Sequence, residues 1–175
     1  MKESVGFAIW ITGMPASGKS SVTRELVKKI REYRVPVVVL ESDRMRMLLT
    51  PHATYEAEER DWFYQTLALI GDMIAKDGVN VIFDATANKR AYRERARSLI
   101  PRFIEAYVQC PLEVCIQRDP KGIYRNAKKG KTSTVPGLQS PYEPPLNAEI
   151  LLDCRNPPEA SAGLILDKLK QLMYI

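Results

Sequence analysis

Apolar residues fall along the chain in two alternating rhythms. VGFAIWITG at residues 5–13 is a continuous apolar run, the pattern of a strand covered on both faces. Residues 20–33 then set Val22, Leu26 and Ile30 four apart, on one face of a helix. PVVVLESD at 36–43 predicts a second strand buried on both faces, with Pro36 tolerated at its start. Residues 57–76 predict a long helix stopped by Asp77-Gly78, and VNVIFDA at 79–85 predicts a third strand ending in an acid. Residues 89–99 predict a basic helix closed ahead of Pro101, with Arg90, Arg93, Arg95 and Arg97 on its wet face. A fourth strand is expected at 103–110, a fifth at 149–153 and a terminal helix at 158–173.

Strands separated by helices imply a parallel sheet covered on both faces, in one domain over residues 1–175. One stretch breaks the rhythm. Residues 118–145 are basic, then rich in Gly, Pro, Ser and Thr, and Lys128-Lys129-Gly130-Lys131 cannot face a core. An insertion of that length reads as a functional lid or as a disordered surface excursion. The aromatic trio Trp62-Phe63-Tyr64 is assigned to the core, and His52 has no partner pattern.

Composition narrows the class. The chain has 175 residues, 26 Lys+Arg against 21 Asp+Glu, and 45% hydrophobic residues, which excludes overall disorder. No apolar run approaches a membrane span, and MKESVGFAIWITG lacks a signal-peptide pattern, so a cytoplasmic protein with no membrane partner is expected. The net charge of +5 suits an anionic small molecule as well as nucleic acid. Cys110, Cys115 and Cys154 form an odd set without a C-x-x-C pair, so reduced thiols are expected rather than a disulfide framework or a zinc site.

The sharpest signal is Gly13-Met14-Pro15-Ala16-Ser17-Gly18-Lys19-Ser20, which matches G-x-x-x-x-G-K-[ST] between a buried strand and a helix. Its glycines let consecutive N–H groups wrap phosphate oxygens at the positive end of the helix. The expected ATP site comprises Gly13, Pro15, Ala16, Ser17, Gly18, Lys19, Ser20 and Ser21, with Lys19 on the β- and γ-phosphates and Ser20 on Mg²⁺. The fold class is therefore an α/β P-loop NTPase of nucleoside-monophosphate-kinase type, with about five parallel strands and a basic lid. An Asn-Lys-x-Asp guanine-reading segment is absent from the sequence, and the short chain points to a small kinase acting on a hydroxyl.

In open α/β sheets ligands bind beyond the carboxyl ends of the strands. Asp43 closes the second strand, either as the carboxylate that orients the attacking hydroxyl or as a cap for the helix after it. Asp84 closes the third, as a magnesium-linked acid, an acceptor contact or a turn residue. Glu41 reads as structural. Arg46, Arg60, Arg118, Lys121 and Arg125 are the cations placed to neutralise phosphate charge, and Tyr55 is an aromatic that could stack a ring.

These residues resemble the adenylylsulfate (APS) kinase family. VQCPLEVCIQRDPKGIY at 108–124 is similar to that family's run through its RDPKGLY segment, and SPYEPP at 140–145 to its PYE-x-P stretch. Glu41-Ser42-Asp43 stands where the family has Asp-Gly-Asp. The resemblance implies MgATP-dependent phosphorylation of the 3′-hydroxyl of adenosine 5′-phosphosulfate, with Asp43 catalytic. It also implies Arg46, Arg60, Lys121, Gly122 and Ile123 on APS and Arg118 by the ATP adenine. Trp62 and Phe63 replace the family's Glu-Asn, and Val135-Pro136-Gly137 replaces its Phe-Thr-Gly, while Tyr55 stands near the other stacking aromatic. The family's Ser-Pro after the third strand is replaced too. FDATAN at 83–88 looks instead like a segment of small P-loop kinases acting on other hydroxyls.

APS phosphorylation is thus the expected activity, with ATP and Mg²⁺ as cofactors and adenylyl sulfate as the small-molecule partner. Two alternatives stay open: a kinase for a nucleoside, sugar or RNA end, and a nucleotide-binding protein associated with nucleic acid, although nucleic acid is not the expected partner. A homodimer is an open possibility that the sequence does not decide.

Overall fold

The computed structural model describes residues 5–175; the four residues that begin the stretch read for a signal peptide lie outside the described residues. In chain order the elements are β1 (Ala8–Thr12), α1 (Lys19–Glu32), β2 (Val37–Glu41), α2 (Ser42–Leu49), α3 (Ala57–Lys76) and β3 (Asn80–Asp84). They continue with α4 (Arg90–Leu99), β4 (Phe103–Gln109), α5 (Leu112–Arg118), α6 (Ile123–Lys128), β5 (Ile150–Asp153) and α7 (Pro158–Gln171).

The strands form one parallel sheet in the order β2-β3-β1-β4-β5. β1 lies at its centre and is buried along its whole length, which is why its sequence is apolar at every position. Its side chains alternate between two cores. Ile9 and Ile11 join Val22, Leu26 and Ile30 of α1 and Ile165 and Leu169 of α7 on one face. Ala8 and Trp10 join Phe63, Tyr64 and Leu67 of α3 and Tyr92 and Ala96 of α4 on the other. Trp10 stacks on Phe83 with ring centroids 4.5 Å apart and donates its indole N–H to Ala85 O at 3.0 Å. The register Ile11↔Asp84 and Glu41↔Asp84 brings the carboxyl ends of β1, β2 and β3 to one edge.

Four expectations need correction. β2 pairs with β3 alone and forms an edge, so Leu40 is its only buried residue and Val38 is exposed. The predicted aromatic core trio is split, because Phe63 and Tyr64 are buried while Trp62 turns outward, half exposed.

The supposed wet face of α4 is not wet throughout. Arg93 is buried, its Nε 2.5 Å from Glu105 Oε1, and Arg97 pairs with Glu149 at 2.6 Å. Finally, Cys110 and Cys154 are joined in a disulfide rather than free. β4 and β5 are parallel neighbours that leave the sheet together, and Cys154 N donates to Gln109 O at 3.0 Å. Cys115 is free and buried. The lid region is also more regular than its composition suggests, since α6 lies within it. Among the described residues no helix is long and apolar enough to cross a membrane.

Candidate active site

The loop from Gly13 to Gly18 joins the buried end of β1 to the start of α1. Gly13 has φ +152°, and a Cβ there would meet both Ser17 Oγ and Val108 O at 2.7 Å, so the loop can close this tightly only with glycine. Gly18 caps α1 at φ +108° with no side-chain cap, and the first turn carries no acidic residue. The positive end of α1 therefore faces the loop uncompensated. Ser17 Oγ, in the same loop, is buried without a hydrogen-bond partner among the described residues, a polar group left unsatisfied beside the loop amides.

Lys19 lies inside this cradle and donates to Gly13 O at 3.0 Å and Met14 O at 2.8 Å. Burial pushes its pKa down, and the carboxylates of Asp84 and Asp43 act against that fall. Asp84 is buried, which pushes its pKa up; Lys19 and a hydrogen bond from Ser20 oppose the rise. A hydroxyl and a carboxylate side by side are hard oxygen donors, a pair that fits Mg²⁺ completed by phosphate and water.

These groups open into a cleft of about 1120 Å³. Asp43, in the first turn of α2, also lines it and accepts a hydrogen bond from Lys121, which precedes α6. Arg46 is buried one turn further on. Its guanidinium lies 4.0 Å from the Phe63 ring centroid and 4.7 Å from that of Tyr55, and it donates to Glu59 Oε1 at 2.8 Å. Arg60 is equally confined. Nε donates to Tyr55 O at 2.7 Å, Nη1 to Asn88 Oδ1 at 3.3 Å and Nη2 to Thr134 O at 2.6 Å. At the opposite end Arg118 donates to Cys154 O at 2.9 Å and Ser17 O at 3.4 Å.

Pro15, Ala16, Ser17, Gly18, Lys19, Ser20 and Ser21 all line the cleft, as do Asp43, Arg46, Tyr55, Arg60, Asp84, Arg118, Lys121 and Ile123. Gly13 and Gly122 do not line it; they shape the backbone, Gly122 at φ +69° before α6. Sequence reasoning missed Arg155 and Asn156, which line the cleft just after β5. The strand-end rule that selected Asp43 and Asp84 would have found them. It also missed Thr134, whose carbonyl holds Arg60 and which carried no pattern of its own.

A parallel sheet with a phosphate loop after its central strand, acids at the ends of its neighbours and a basic lid over them defines a P-loop kinase. The adenylylsulphate kinase family model matches residues 5–153, and the chain belongs to that family. It is 39% identical to the adenylyl-sulfate kinase of Gloeothece citriformis over 97% of both chains. It is 36% identical to that of Rippkaea orientalis over 97% of this chain and 94% of the relative. The solved APS kinase of Mycobacterium tuberculosis, in complex with AMPPNP and APS, superposes with a TM-score of 0.90 at 29% identity, over 95% of this chain and 98% of that one.

Proposed function

We propose that this protein transfers the γ-phosphoryl group of ATP to the 3′-hydroxyl of adenosine 5′-phosphosulfate, giving 3′-phosphoadenosine 5′-phosphosulfate and ADP. The observation that carries the reading is one cleft holding both an intact phosphate loop and the Asp43–Lys121 pair, in a chain of this family. The loop amides, Ser17 and Lys19 bind the ATP phosphates. Arg118 and the residues after β5 hold the purine end, 118 through its anchored guanidinium. Asp43 accepts the hydrogen bond of the attacking hydroxyl and takes its proton as the new P–O bond forms and the bond to ADP breaks.

Arg46, Arg60, Lys121 and Ile123 face the acceptor, and Gly122 gives the backbone turn that presents them. Tyr55, partly exposed in the cleft, offers a ring face to the acceptor's adenine. Ser20 and Asp84 would hold Mg²⁺, which supplies charge neutralisation at the phosphates. Residues 118–145 act as the lid that excludes water, a competing acceptor.

The exposed residues Trp62, Leu69 and Met73, spaced along one face of α3, support a homodimer, which sedimentation would read. We place the reaction in the cytoplasm. The decisive experiment is ADP release from MgATP with and without APS, with the product checked for a 3′-phosphate. APS-dependent turnover is expected. Tight ATP binding without stimulation by APS would overturn the acceptor and move the search to other hydroxyls.

A further inference from the structure

Asn88 lies outside the phosphate loop and the acceptor contacts named above, yet it is buried and both polar atoms of its side chain are hydrogen-bonded. Its Nδ2 donates to Pro141 O at 3.1 Å, and its Oδ1 accepts from Arg60 Nη1 at 3.3 Å. Its backbone carbonyl accepts from Glu143 N at 2.7 Å. Because Pro141 offers only an acceptor, the amide has one permitted orientation, and that orientation turns the oxygen toward Arg60.

The turn before Asn88 is held just as firmly. Ala87 sits at φ +42°, donates its N–H to Tyr64 Oη at 3.1 Å and gives its carbonyl to Arg93 Nη1. This backbone conformation is uncommon for a residue with a Cβ, and here it directs the next side chain inward.

The consequence lies in how Arg60 divides its five N–H groups. Three are taken by Tyr55 O, Asn88 Oδ1 and Thr134 O, which leaves one on each terminal nitrogen for a ligand in the cleft that Arg60 lines. Tyr55 O and Thr134 O belong to two separate segments that line the cleft, the one before α3 and the one after α6. Asn88 is the only side chain among the three partners, and it is held from both directions, by its place just after β3 and by its bonds to Pro141 and Glu143. It therefore sets the rotation of the guanidinium plane while the lid contact forms.

We propose that Asn88 is a positioning residue for the anionic acceptor, acting by fixing the face that Arg60 presents to it. The inference rests on the proposed function, with Arg60 as an acceptor contact. It adds a determinant in the segment after β3 that coordinates acceptor grip with the strap at residues 140–145.

The test is a kinetic cycle on the full chain with MgATP and APS. Asn88→Ala should raise the KM for APS about tenfold, the scale of one lost hydrogen bond to a charged group, and leave kcat and the KM for ATP within about twofold. In an Arg60→Ala background the same change should add no more than about twofold, because the group it positions is gone. An equal KM increase in both backgrounds, or a joint rise of both KM values, would overturn the assignment. Should Asn88→Ala fail to fold, the isosteric Asn88→Asp serves. Its carboxylate neutralises Arg60 and should raise the KM for APS by at least as much, and an unchanged KM would overturn the inference.

Failure of the underlying reading is separable. Absence of APS turnover by the unaltered protein would strike the proposed function. Asn88 would then be judged by hydrogen exchange, which should quicken at residues 132–136 in Asn88→Ala; unchanged exchange there would overturn the inference.

Discussion

Lys121 donates a hydrogen bond to the Asp43 carboxylate, across a sequence separation of 78 residues, and thereby joins the lid to the end of β2. Donating that hydrogen bond to Asp43 holds the Lys121 pKa above its ordinary value. Both side chains are more than half exposed, at 55% and 57%, so the pair contributes only about 0–1 kcal/mol to stability. A contact that weak can open to admit substrate and close again. Asp43→Ala should lower kcat by about 10²–10⁴-fold with ATP binding intact, the range for losing a general base. Lys121→Ala should raise the KM for APS with little change in melting temperature. Steady-state kinetics beside nucleotide titration checks both, and near-normal turnover of Asp43→Ala would remove it from the mechanism.

Glu59 ties together Arg46, Thr54 and Tyr55, beside the residues proposed to face the acceptor. Its Oε2 accepts from Thr54 N at 2.5 Å and Thr54 Oγ1 at 2.9 Å, and its Oε1 from Arg46 at 2.8 Å and Tyr55 N at 3.3 Å. Burial alone would raise its pKa, but these donors together hold it below the ordinary 4.5. A depressed carboxylate contributes stability that is present above the unfolded value and is lost as the pH falls through the folded one. Glu59→Gln should therefore cost about 1–3 kcal/mol near neutrality, and the gap should close as the pH drops below 4.5. Urea denaturation of both proteins across that range checks the sign. A gap that widened in acid would refute the role given to the carboxylate.

The parts legible in the sequence were those whose cause is local. Gly13 to Ser20 needs particular residues at particular spacings, and Asp43 and Asp84 follow from where parallel strands end. What stayed hidden depends on partners far along the chain. Of four arginines within residues 90–97 that look solvated, Arg93 and Arg97 prove otherwise once Glu105 and Glu149 are seen behind them. The apolar run of β2 reads like that of β1, because a run does not reveal which strand has a neighbour on only one side. Cys110 and Cys154 meet only because β5 returns beside β4. α6 escaped notice because its IYRNAK buries just Tyr124 and Ala127 under a basic surface.

The Arg93–Glu105 pair carries its own prediction. Both side chains are at most 3% exposed, and Arg93 also donates to Glu143 O at 2.7 Å, tying α4 and β4 to the strap that Asn88 holds. Glu105→Ala leaves a buried guanidinium without its countercharge and should cost about 3–5 kcal/mol. Replacing both partners together, as Arg93→Met with Glu105→Leu, removes both buried charges and should recover much of that loss in chemical denaturation. If Glu105→Ala alone were neutral, the pair would have no structural role.

The disulfide between Cys110 and Cys154 closes a loop across 44 positions and sits beside Arg118, proposed to hold the purine, since the Cys154 carbonyl accepts from it. On loop-closure entropy, a link of that span stabilises the fold by about 2–4 kcal/mol. Against a glutathione pool, its state depends on its own reduction potential. Two-electron reduction by a dithiol yields both thiols and leaves the dithiol oxidised. It should lower the denaturation midpoint by the equivalent of that energy and weaken ATP binding as the anchor of Arg118 loosens. The double variant Cys110→Ser with Cys154→Ser should show the lower midpoint from the outset and ignore reductant, whereas Cys115→Ser should respond like the unaltered chain. A midpoint indifferent to reductant in the unaltered protein would show that the pair contributes nothing to the fold.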